Sequence, residues 1–275
     1  MDLKMKQYAT VLTIAGSDSG GGAGIQADIK AISATGGYAA SAITAVTVQN
    51  TVGVSDVFPV KPDIISAQIE AVLGDIGAKA VKIGMLHASE VVLAVKESLL
   101  KFSVRNIVLD PVMVSTSGHR LIEESAVRTL QEELLPVARV ITPNIPEAEI
   151  LAGEKITFAS DLPGIARKLS VNGQVSVLMK AGHLDADDLV DYFYNAENDR
   201  MIELHSRRCH TANTHGTGCT LSSAFASFLA QGYALDDAAR AAKEYIARAI
   251  EAGAEYAVGS GHGPVCHFFN LQKQR

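Results

Sequence analysis

The sequence is organised around one glycine-rich segment, Asn213-Thr214-His215-Gly216-Thr217-Gly218-Cys219-Thr220, which runs directly into an apolar stretch with helical spacing at 221–229. Glycines before a helix expose the N–H groups of its first turn, which have no partner inside the helix and carry a partial positive charge. This phosphate segment (residues 213–220) therefore predicts a site for phosphate or another oxyanion. A plain loop with Thr217 as N-cap is the simpler alternative. The thiol of Cys219 favours the anion site, because a helix N-terminus lowers the pKa of a cysteine placed there.

Composition narrows the class of protein. The chain has 275 residues, of which 48% are hydrophobic, and this fits a single α/β domain over residues 1–275. The net charge is −6 and no basic run is longer than Arg207-Arg208, so we expect neither a nucleic-acid nor a membrane partner. No apolar stretch approaches the roughly 18 residues that span a bilayer. Three cysteines without framework spacing predict a reducing, cytoplasmic location.

Short apolar runs alternate with helical patterns along most of the chain, which is typical of a mostly parallel sheet connected by helices. The predicted strands are 10–15, 42–48, 80–84, 106–109, 137–141 and 175–179, each apolar throughout, as burial on both faces requires. The predicted helices are 25–34, 63–73, 90–100, 123–134, 146–151, 162–171, 220–230 and 236–255. Segments 189–194 and 201–205 flank a polar turn and predict an antiparallel hairpin at one edge of the sheet.

Nearly every predicted strand is followed at once by a polar residue. The carboxyl ends of the strands border the ligand crevice in an open parallel sheet. We therefore expect one cavity, shared with the helix that opens near Gly218, to be lined by Asp18, Gln49, Met85, Asp110, Asn144 and Lys180.

A second glycine-rich region, the first glycine segment (residues 16–24), follows the first predicted strand and opens a helix. Its G-x-G-x-x-A pattern also occurs in dinucleotide-binding folds, but the second strand ends without an acid for a ribose. A Walker A loop is excluded because Gly-Lys occurs nowhere. The glycines more simply let a flat substrate lie against the backbone, within reach of Asp28, unless Asp28 is only favoured there by the helix dipole. Nearby metal-ligating residue types lack the paired spacing of a zinc site: Cys209, His210, His215 and Cys219.

Several motifs together resemble one family. They are the first glycine segment extended to Asp28, Lys82-Ile83-Gly84-Met85-Leu86, Leu109-Asp110-Pro111-Val112-Met113, Thr142-Pro143-Asn144-Ile145-Pro146-Glu147-Ala148 and the phosphate segment. On these motifs the sequence resembles, over nearly its whole length, the hydroxymethylpyrimidine/phosphomethylpyrimidine kinases of thiamine biosynthesis, within the ribokinase-like superfamily. The resemblance implies a ribokinase-like three-layer αβα sandwich and a homodimer. It also implies ATP-dependent phosphorylation of 4-amino-5-hydroxymethyl-2-methylpyrimidine and then of its monophosphate.

The resemblance further implies roles for individual residues. The aminopyrimidine would be held by Gly16, Ala23, Asp28, Gln49, Met85 and Val112. ATP would be held by Asn144, Lys180, Thr214, Gly216 and Gly218. Mg²⁺ would be associated with Asp110 and Glu147, and a monovalent-cation requirement stays open. Catalysis would fall to Cys219, Lys180 and the turn Gly216-Thr217-Gly218, since phosphoryl transfer depends mostly on positioning and charge neutralisation.

The residue at position 219 separates this sequence from the sugar kinases that resemble it, which have aspartate there because a neutral hydroxyl needs a general base. We hypothesise that Cys219 serves two successive acceptors. As thiolate it would assist the first hydroxyl, and as neutral thiol it would tolerate an incoming phosphate. Three further departures from the family pattern are Val48, His119 and Ala181.

Three other functions stay open on the sequence. A pyridoxal kinase is the nearest, since members of the subfamily also accept that ring, with Met85 and Val48 deciding the fit. A catalytically silent nucleotide- or vitamer-binding module is the second, and a dinucleotide-dependent enzyme is the most distant. The sequence also leaves open whether the loop 115–120 closes as a lid.

Overall fold

The computed structural model describes residues 6–114, 118, 121–182 and 187–271. Within them lies a mixed sheet with the strand order β3-β2-β1-β4-β5-β6-β7-β8-β9. The strands are β1 (Thr10–Asp18), β2 (Tyr38–Gln49), β3 (Val54–Pro59), β4 (Ala80–Ile83), β5 (Ile107–Leu109), β6 (Val140–Ile141), β7 (Ser176–Met179), β8 (Asp188–Asn195) and β9 (Arg200–Arg207). The strands from β2 to β7 in this order are parallel, while β3 at one edge and β8 and β9 at the other are antiparallel.

Helices cover both faces of the sheet. They are α1 (Gly24–Ala34), α2 (Pro62–Asp75), α3 (Ser89–Lys101), α4 (Glu124–Thr129), α5 (Ile145–Ala152), α6 (Leu162–Leu169), α7 (Thr217–Ala230) and α8 (Leu235–Gly253). Alternate strand residues enter two separate cores, because successive side chains of a strand point to opposite faces. In β1, Leu12 and Ile14 pack with the core of α2 to α6, whereas Val11 packs with the core of α1, α7 and α8. The expected three-layer, ribokinase-like αβα sandwich is confirmed.

Several element boundaries differ from the predictions. The sequence pattern missed β3, whose residues are mostly exposed and end in a proline. The expected helix 123–134 is α4 followed by a π-helical turn, Leu130–Leu134, and the expected strand 137–141 shortens to β6 after a 3₁₀ turn. The hairpin of β8 and β9 is confirmed.

Among the described residues, no helix is both long and apolar enough to cross a membrane. Of the loop 115–120 only Gly118 belongs to the described residues, so the lid question and the departure at His119 lie outside them.

Candidate active site

A cavity of about 600 Å³ opens where the parallel strands end, beside the first turn of α7. Its lining includes all six residues expected after the strands: Asp18, Gln49, Met85, Asp110, Asn144 and Lys180. The convergence predicted from strand ends is therefore confirmed. The other residues singled out by the resemblance also line it, with the exception of Asp28: Gly16, Ala23, Val112, Glu147, Thr214, Gly216, Thr217, Gly218 and Cys219.

The phosphate segment is held by contact with the first glycine segment. Helix α7 begins at Thr217, with Gly216 as N-cap in the left-handed region at φ 77° and ψ 11°. A side chain at Gly216 would also collide with the carbonyl oxygen of Gly22, and a side chain at Gly22 would collide with the imidazole of His215. The two glycine-rich segments therefore interlock, which requires glycine at both positions.

Lys180 brings a positive charge to the first turn of α7. A Cβ atom added at Gly218 would lie 3.2 Å from Lys180 Nζ, so the backbone there passes close to the ammonium group. Lys180 donates a hydrogen bond of 2.9 Å to Asp110 Oδ1, and its Nζ lies 3.8 Å from Glu147 Oε2. Burial lowers the pKa of Lys180, but Asp110 and Glu147 outweigh it, so the net shift is upward and the group is cationic.

Two buried carboxylates share the charge of Lys180. Burial raises the pKa of Asp110, but the positive charges of Lys180 and Lys82 lower it by more. The net pKa is therefore below its usual value, and this carboxylate is ionised. Glu147 and Asn144 form a capping box at the start of α5. Burial raises the pKa of Glu147 to about 7, and Lys180 does not compensate fully because Asp110 lies beside it. A carboxylate pair with too little positive charge fits a divalent cation such as Mg²⁺, which prefers oxygen ligands.

Asp28 is the residue of the predicted ring site that the structure does not bring to the cavity. Its side chain has no exposed surface, and Lys82 Nζ lies 2.9 Å from both of its carboxylate oxygens. The hydroxyls of Thr13 and Ser223 donate to the same carboxylate at 2.5 and 2.7 Å. The prediction that Asp28 reaches the substrate is therefore wrong, because its oxygens are occupied behind the cavity wall. Sequence reasoning overlooked Lys82, although a lysine within an apolar strand signals a buried partner.

The protonation state of Cys219 also differs from the prediction. Burial raises the pKa of its thiol to about 11, and the positive charge of Lys82 offsets this only in part, since Asp28 and Asp110 raise the pKa further. The expected lowering by the helix N-terminus is therefore outweighed by desolvation. At neutral pH the thiol of Cys219 is protonated in this structure.

A second residue that sequence reasoning missed as part of the site is His215, which was weighed only as a zinc ligand. His215 Nε2 lies 3.0 Å from Asp18 Oδ2 and 3.3 Å from Gln49 Nε2, and all three residues line the cavity. The carboxylate of Asp18 also accepts hydrogen bonds from the backbone N–H groups of the first glycine segment, at Gly20, Gly22 and Ala23. Burial raises the pKa of Asp18, but the bonds from His215, Ala23 and Gly20 outweigh it and hold the pKa below its usual value.

Of the two residues expected to decide which ring fits, the structure places only Met85 at the cavity. Met85 lines the cavity, and a Cβ atom at Gly16 would lie 3.3 Å from its Sδ atom. Val48 is 58% exposed and does not line the cavity, because neighbouring strand residues alternate between the two sides of β2. The expectation that Val48 helps to select the ring is therefore wrong.

The end of the cavity toward β8 and α8 has both apolar and charged lining residues. The apolar ones are Leu189, Leu221, Ile246, Ala247 and Ile250, and the charged ones include Arg207 and Arg208. An ion pair of 2.6 Å between Lys243 and Asp191 borders this end, and Asp191 also accepts a hydrogen bond from the backbone N–H of Ala181. The cavity therefore joins a surface suited to a flat ring to a helix N-terminus with a lysine and two carboxylates.

This combination of a ribokinase-like fold, a helix N-terminus with a cationic lysine and a pair of buried carboxylates beside that lysine defines a phosphotransferase of small molecules. A model of the phosphomethylpyrimidine kinase family matches residues 18–266. A hydroxymethylpyrimidine/phosphomethylpyrimidine kinase of Rhizobium meliloti is 49% identical over 268 residues, which are 96% of this chain and 99% of that protein. The chain therefore belongs to the phosphomethylpyrimidine kinase family.

Two further relatives extend the comparison. A thiamine biosynthesis bifunctional protein of Geobacter sulfurreducens is 46% identical over 97% of this chain and 54% of that protein. The structure of an ADP complex of Bacillus subtilis pyridoxal kinase aligns with a TM-score of 0.88 at 34% identity, covering 97% of this chain and all of that one. The similarity thus extends to kinases named for either of two vitamin rings.

Proposed function

We propose that this enzyme transfers the γ-phosphoryl group of ATP to 4-amino-5-hydroxymethyl-2-methylpyrimidine and then to the resulting monophosphate, in thiamine biosynthesis. One observation carries the proposal. The amide of Gln49, the thiol of Cys219 and the first turn of α7 line a single cavity, in a chain that is 49% identical to a kinase named for both steps.

The ring would lie at the end of the cavity formed by β1, β2 and the segment after β4. The amide of Gln49 offers one donor and one acceptor, which matches a ring nitrogen beside an amino group. Gly16, Ala23, Met85 and Val112 would form the walls of this ring site. Asp28 has no place in it, because it is paired with Lys82.

ATP would occupy the opposite half of the cavity. The apolar side chains of β8 and α8 would suit a purine, and Asn144 and Thr214, the latter within the phosphate segment, line the same cavity. The transferring phosphoryl group would meet the N–H groups of Gly216, Thr217 and Gly218 together with the ammonium of Lys180. These groups would neutralise charge that develops in the transition state, which is the main source of catalysis in phosphoryl transfer.

Asp110 and Glu147 would hold Mg²⁺, which when bound supplies positive charge to the ATP phosphates. Lys180 lies between these carboxylates and the phosphate segment. We propose that its ammonium keeps the two carboxylates and the phosphates from repelling one another. Whether a monovalent cation is also needed stays an open prediction.

Cys219 would face the acceptor group of the substrate. The protonated thiol fits the second half of our hypothesis, in which a neutral group tolerates the phosphate of the monophosphate substrate. The first half changes, because a thiol with a pKa of about 11 is not a ready base in the ligand-free enzyme. A loose phosphoryl-transfer transition state places little demand on a base, so the neutral thiol suffices for both acceptors.

Pyridoxal kinase is the alternative function, favoured by the TM-score of 0.88 to the Bacillus subtilis enzyme. The deciding experiment incubates the purified protein with Mg-ATP and equal amounts of the hydroxymethylpyrimidine and pyridoxal, followed by mass spectrometry of the products. We expect the pyrimidine diphosphate. Pyridoxal phosphate alone would move the enzyme to vitamin B6 salvage, and the absence of both products would favour a non-catalytic binding module.

We further propose that the chain acts as one domain per protomer of a cytoplasmic homodimer. Each of Cys209, Cys219 and Cys266 belongs to the described residues and none forms a disulfide, which supports a reducing compartment. An exposed apolar face on the β2–β3 hairpin supports the dimer.

A further inference from the structure

We propose that His215 and Asp18 form a positioning pair that fixes the orientation of the Gln49 amide and thereby sets the preference of the ring site for an aminopyrimidine. This inference rests on the proposed function and adds to it two residues that act through Gln49. Neither residue needs to touch the substrate for this role.

His215 and Asp18 are both buried, and their side chains lie within hydrogen-bond distance of each other. His215 and Asp18 are 7% and 3% exposed, and His215 Nε2 lies 3.0 Å from Asp18 Oδ2. Because Asp18 is ionised at neutral pH, a hydrogen bond at this distance requires the proton to be on Nε2 of His215. The same N–H is shared with the terminal atom of Gln49 that lies 3.3 Å from Nε2, as the longer arm of a bifurcated hydrogen bond.

Thr47 imposes the same orientation from the other side. Its hydroxyl donates to the carbonyl oxygen of Ser17 at 2.9 Å, and the same oxygen lies 3.1 Å from the other terminal atom of the Gln49 amide. The hydroxyl has a single proton and its shorter contact is with Ser17, so Thr47 then accepts from Gln49. Both neighbours are satisfied when the amide oxygen faces His215 and the amide nitrogen faces Thr47. This assignment exchanges the oxygen and nitrogen of the Gln49 amide by a half-turn about the Cγ–Cδ bond and leaves every other atom in place.

A fixed Gln49 amide presents its donor and its acceptor to the substrate in one order only. The remaining lone pair of the oxygen and the remaining N–H of the nitrogen point into the cavity in a set order. A ring with an amino group beside a ring nitrogen pairs with both, because it offers one donor and one acceptor in the matching order. A ring without that pair leaves part of the amide unsatisfied, which disfavours it.

The pair also joins the ring site to the phosphate segment. Asp18 accepts hydrogen bonds from Gly20, Gly22 and Ala23, and His215 directly precedes the N-cap Gly216. The backbone N–H groups of the first glycine segment hold the Asp18 carboxylate, which in turn holds His215 beside Gln49.

The test uses His215→Leu, which removes the donor, and His215→Gln, whose side-chain amide retains one. In His215→Leu we expect the KM for the hydroxymethylpyrimidine to rise about tenfold or more, with kcat changed less than about threefold and the KM for ATP unchanged. The ratio of kcat/KM for the pyrimidine over pyridoxal should fall by about the same factor. His215→Gln should recover most of this loss. The exposed His205, which pairs with Glu203 outside the cavity, gives the control His205→Leu with unchanged kinetics.

Equal losses for pyrimidine, pyridoxal and ATP would overturn the inference, because they indicate a merely structural histidine. Unchanged pyrimidine KM in His215→Leu would overturn it as well. A wild-type enzyme that phosphorylates only pyridoxal would defeat the proposed function. Titration calorimetry with the hydroxymethylpyrimidine then decides the inference separately, with weaker binding in His215→Leu supporting it and equal binding refuting it.

Discussion

In our hypothesis, the charge at residue 219 determines which acceptors the site tolerates. Replacing Cys219 with aspartate adds a carboxylate near Asp28 and Asp110, opposite the position proposed for the acceptor. We expect Cys219→Asp to slow the second phosphorylation at least about tenfold more than the first, because only the second acceptor is anionic. Single-turnover measurements of each step, with the alcohol and with the monophosphate as separate substrates, check this.

A matched variant separates charge from shape at this residue. Cys219→Ser keeps a small neutral hydrogen-bonding group, so we expect it to affect the two steps by similar factors. Similar factors for Cys219→Asp as well would refute the charge explanation.

Substitutions in the buried pair of Asp28 and Lys82 test whether Asp28 belongs to the ring site or to the core. Asp28→Asn leaves the Lys82 ammonium buried without its counter-charge, and we expect a loss of about 3–5 kcal/mol in the free energy of unfolding. The double variant Asp28→Asn with Lys82→Met should recover a large part of it, since no unpaired charge remains. Urea unfolding of the single and double variants measures both. A stable Asp28→Asn variant with a raised pyrimidine KM would instead return Asp28 to the ring site.

Individual site residues were predictable to different degrees from the sequence. Residues at strand ends, such as Asp110 and Lys180, were found because strand polarity alone brings them together. Asp28 was misplaced because helical spacing does not tell which of two buried sides a carboxylate faces. The low pKa expected for Cys219 failed because desolvation depends on neighbours far away in sequence, including Lys82.

Secondary-structure elements were predictable where burial dictates their pattern. The parallel strands β1, β4 and β7 were found as apolar runs, since both of their faces are covered. Strand β3 was missed because an exposed edge strand needs no apolar pattern, and none of the residues of β3 is buried. Strand β3 is defined by its pairing with β2, and the local sequence pattern does not reveal such pairing.

The segment after α8 is attached to α7 through a histidine, which gives stability a pH dependence. His267 Nε2 lies 2.9 Å from Thr220 Oγ1, and the carbonyl of His267 accepts a hydrogen bond from Tyr245. Burial lowers the pKa of His267 to about 4, with a smaller contribution from Lys30. The unfolded chain therefore takes up a proton near pH 6.5 that the folded chain refuses until about pH 4. This contribution to stability is complete above pH 6.5 and is lost as the pH falls.

Glu147, with its pKa raised to about 7, changes the free energy of unfolding in the opposite direction over the same pH range. Because Glu147 is present in both proteins, comparing a His267 variant with the wild type cancels its contribution and leaves that of His267. We expect the unfolding free energy of His267→Gln, relative to wild type, to rise by about 3 kcal/mol between pH 7 and pH 4. Urea unfolding at several pH values checks this, with the exposed His205→Gln as control. A difference independent of pH would show that His267 titrates normally in the folded protein.

At the scale of the whole molecule, one apolar surface has no cover within the described part of the chain. In the β2–β3 hairpin, Val46 pairs with Phe58 in register, so both side chains lie on the same face, and Val48 lies two residues further along β2. Phe58 is 72% exposed and Val48 is 58% exposed. The opposite side of β2 carries Gln49 to the cavity, so whatever covers this face supports the ring site.

We propose that a second copy of the chain covers this hairpin in the dimer, and a substitution at Phe58 tests this. We expect Phe58→Glu to convert the proposed dimer into a monomer by sedimentation equilibrium, because it buries a charge in an apolar contact. The matched control is Phe158→Glu, at a phenylalanine that is 66% exposed before α6, and it should leave the mass unchanged. If the hairpin contact also holds Gln49 in place, the monomeric variant should show a pyrimidine KM raised several-fold with the ATP KM unchanged. A Phe58→Glu variant with the mass of the wild type would place the dimer contact elsewhere, and a monomer with wild-type kinetics would separate assembly from recognition of the ring.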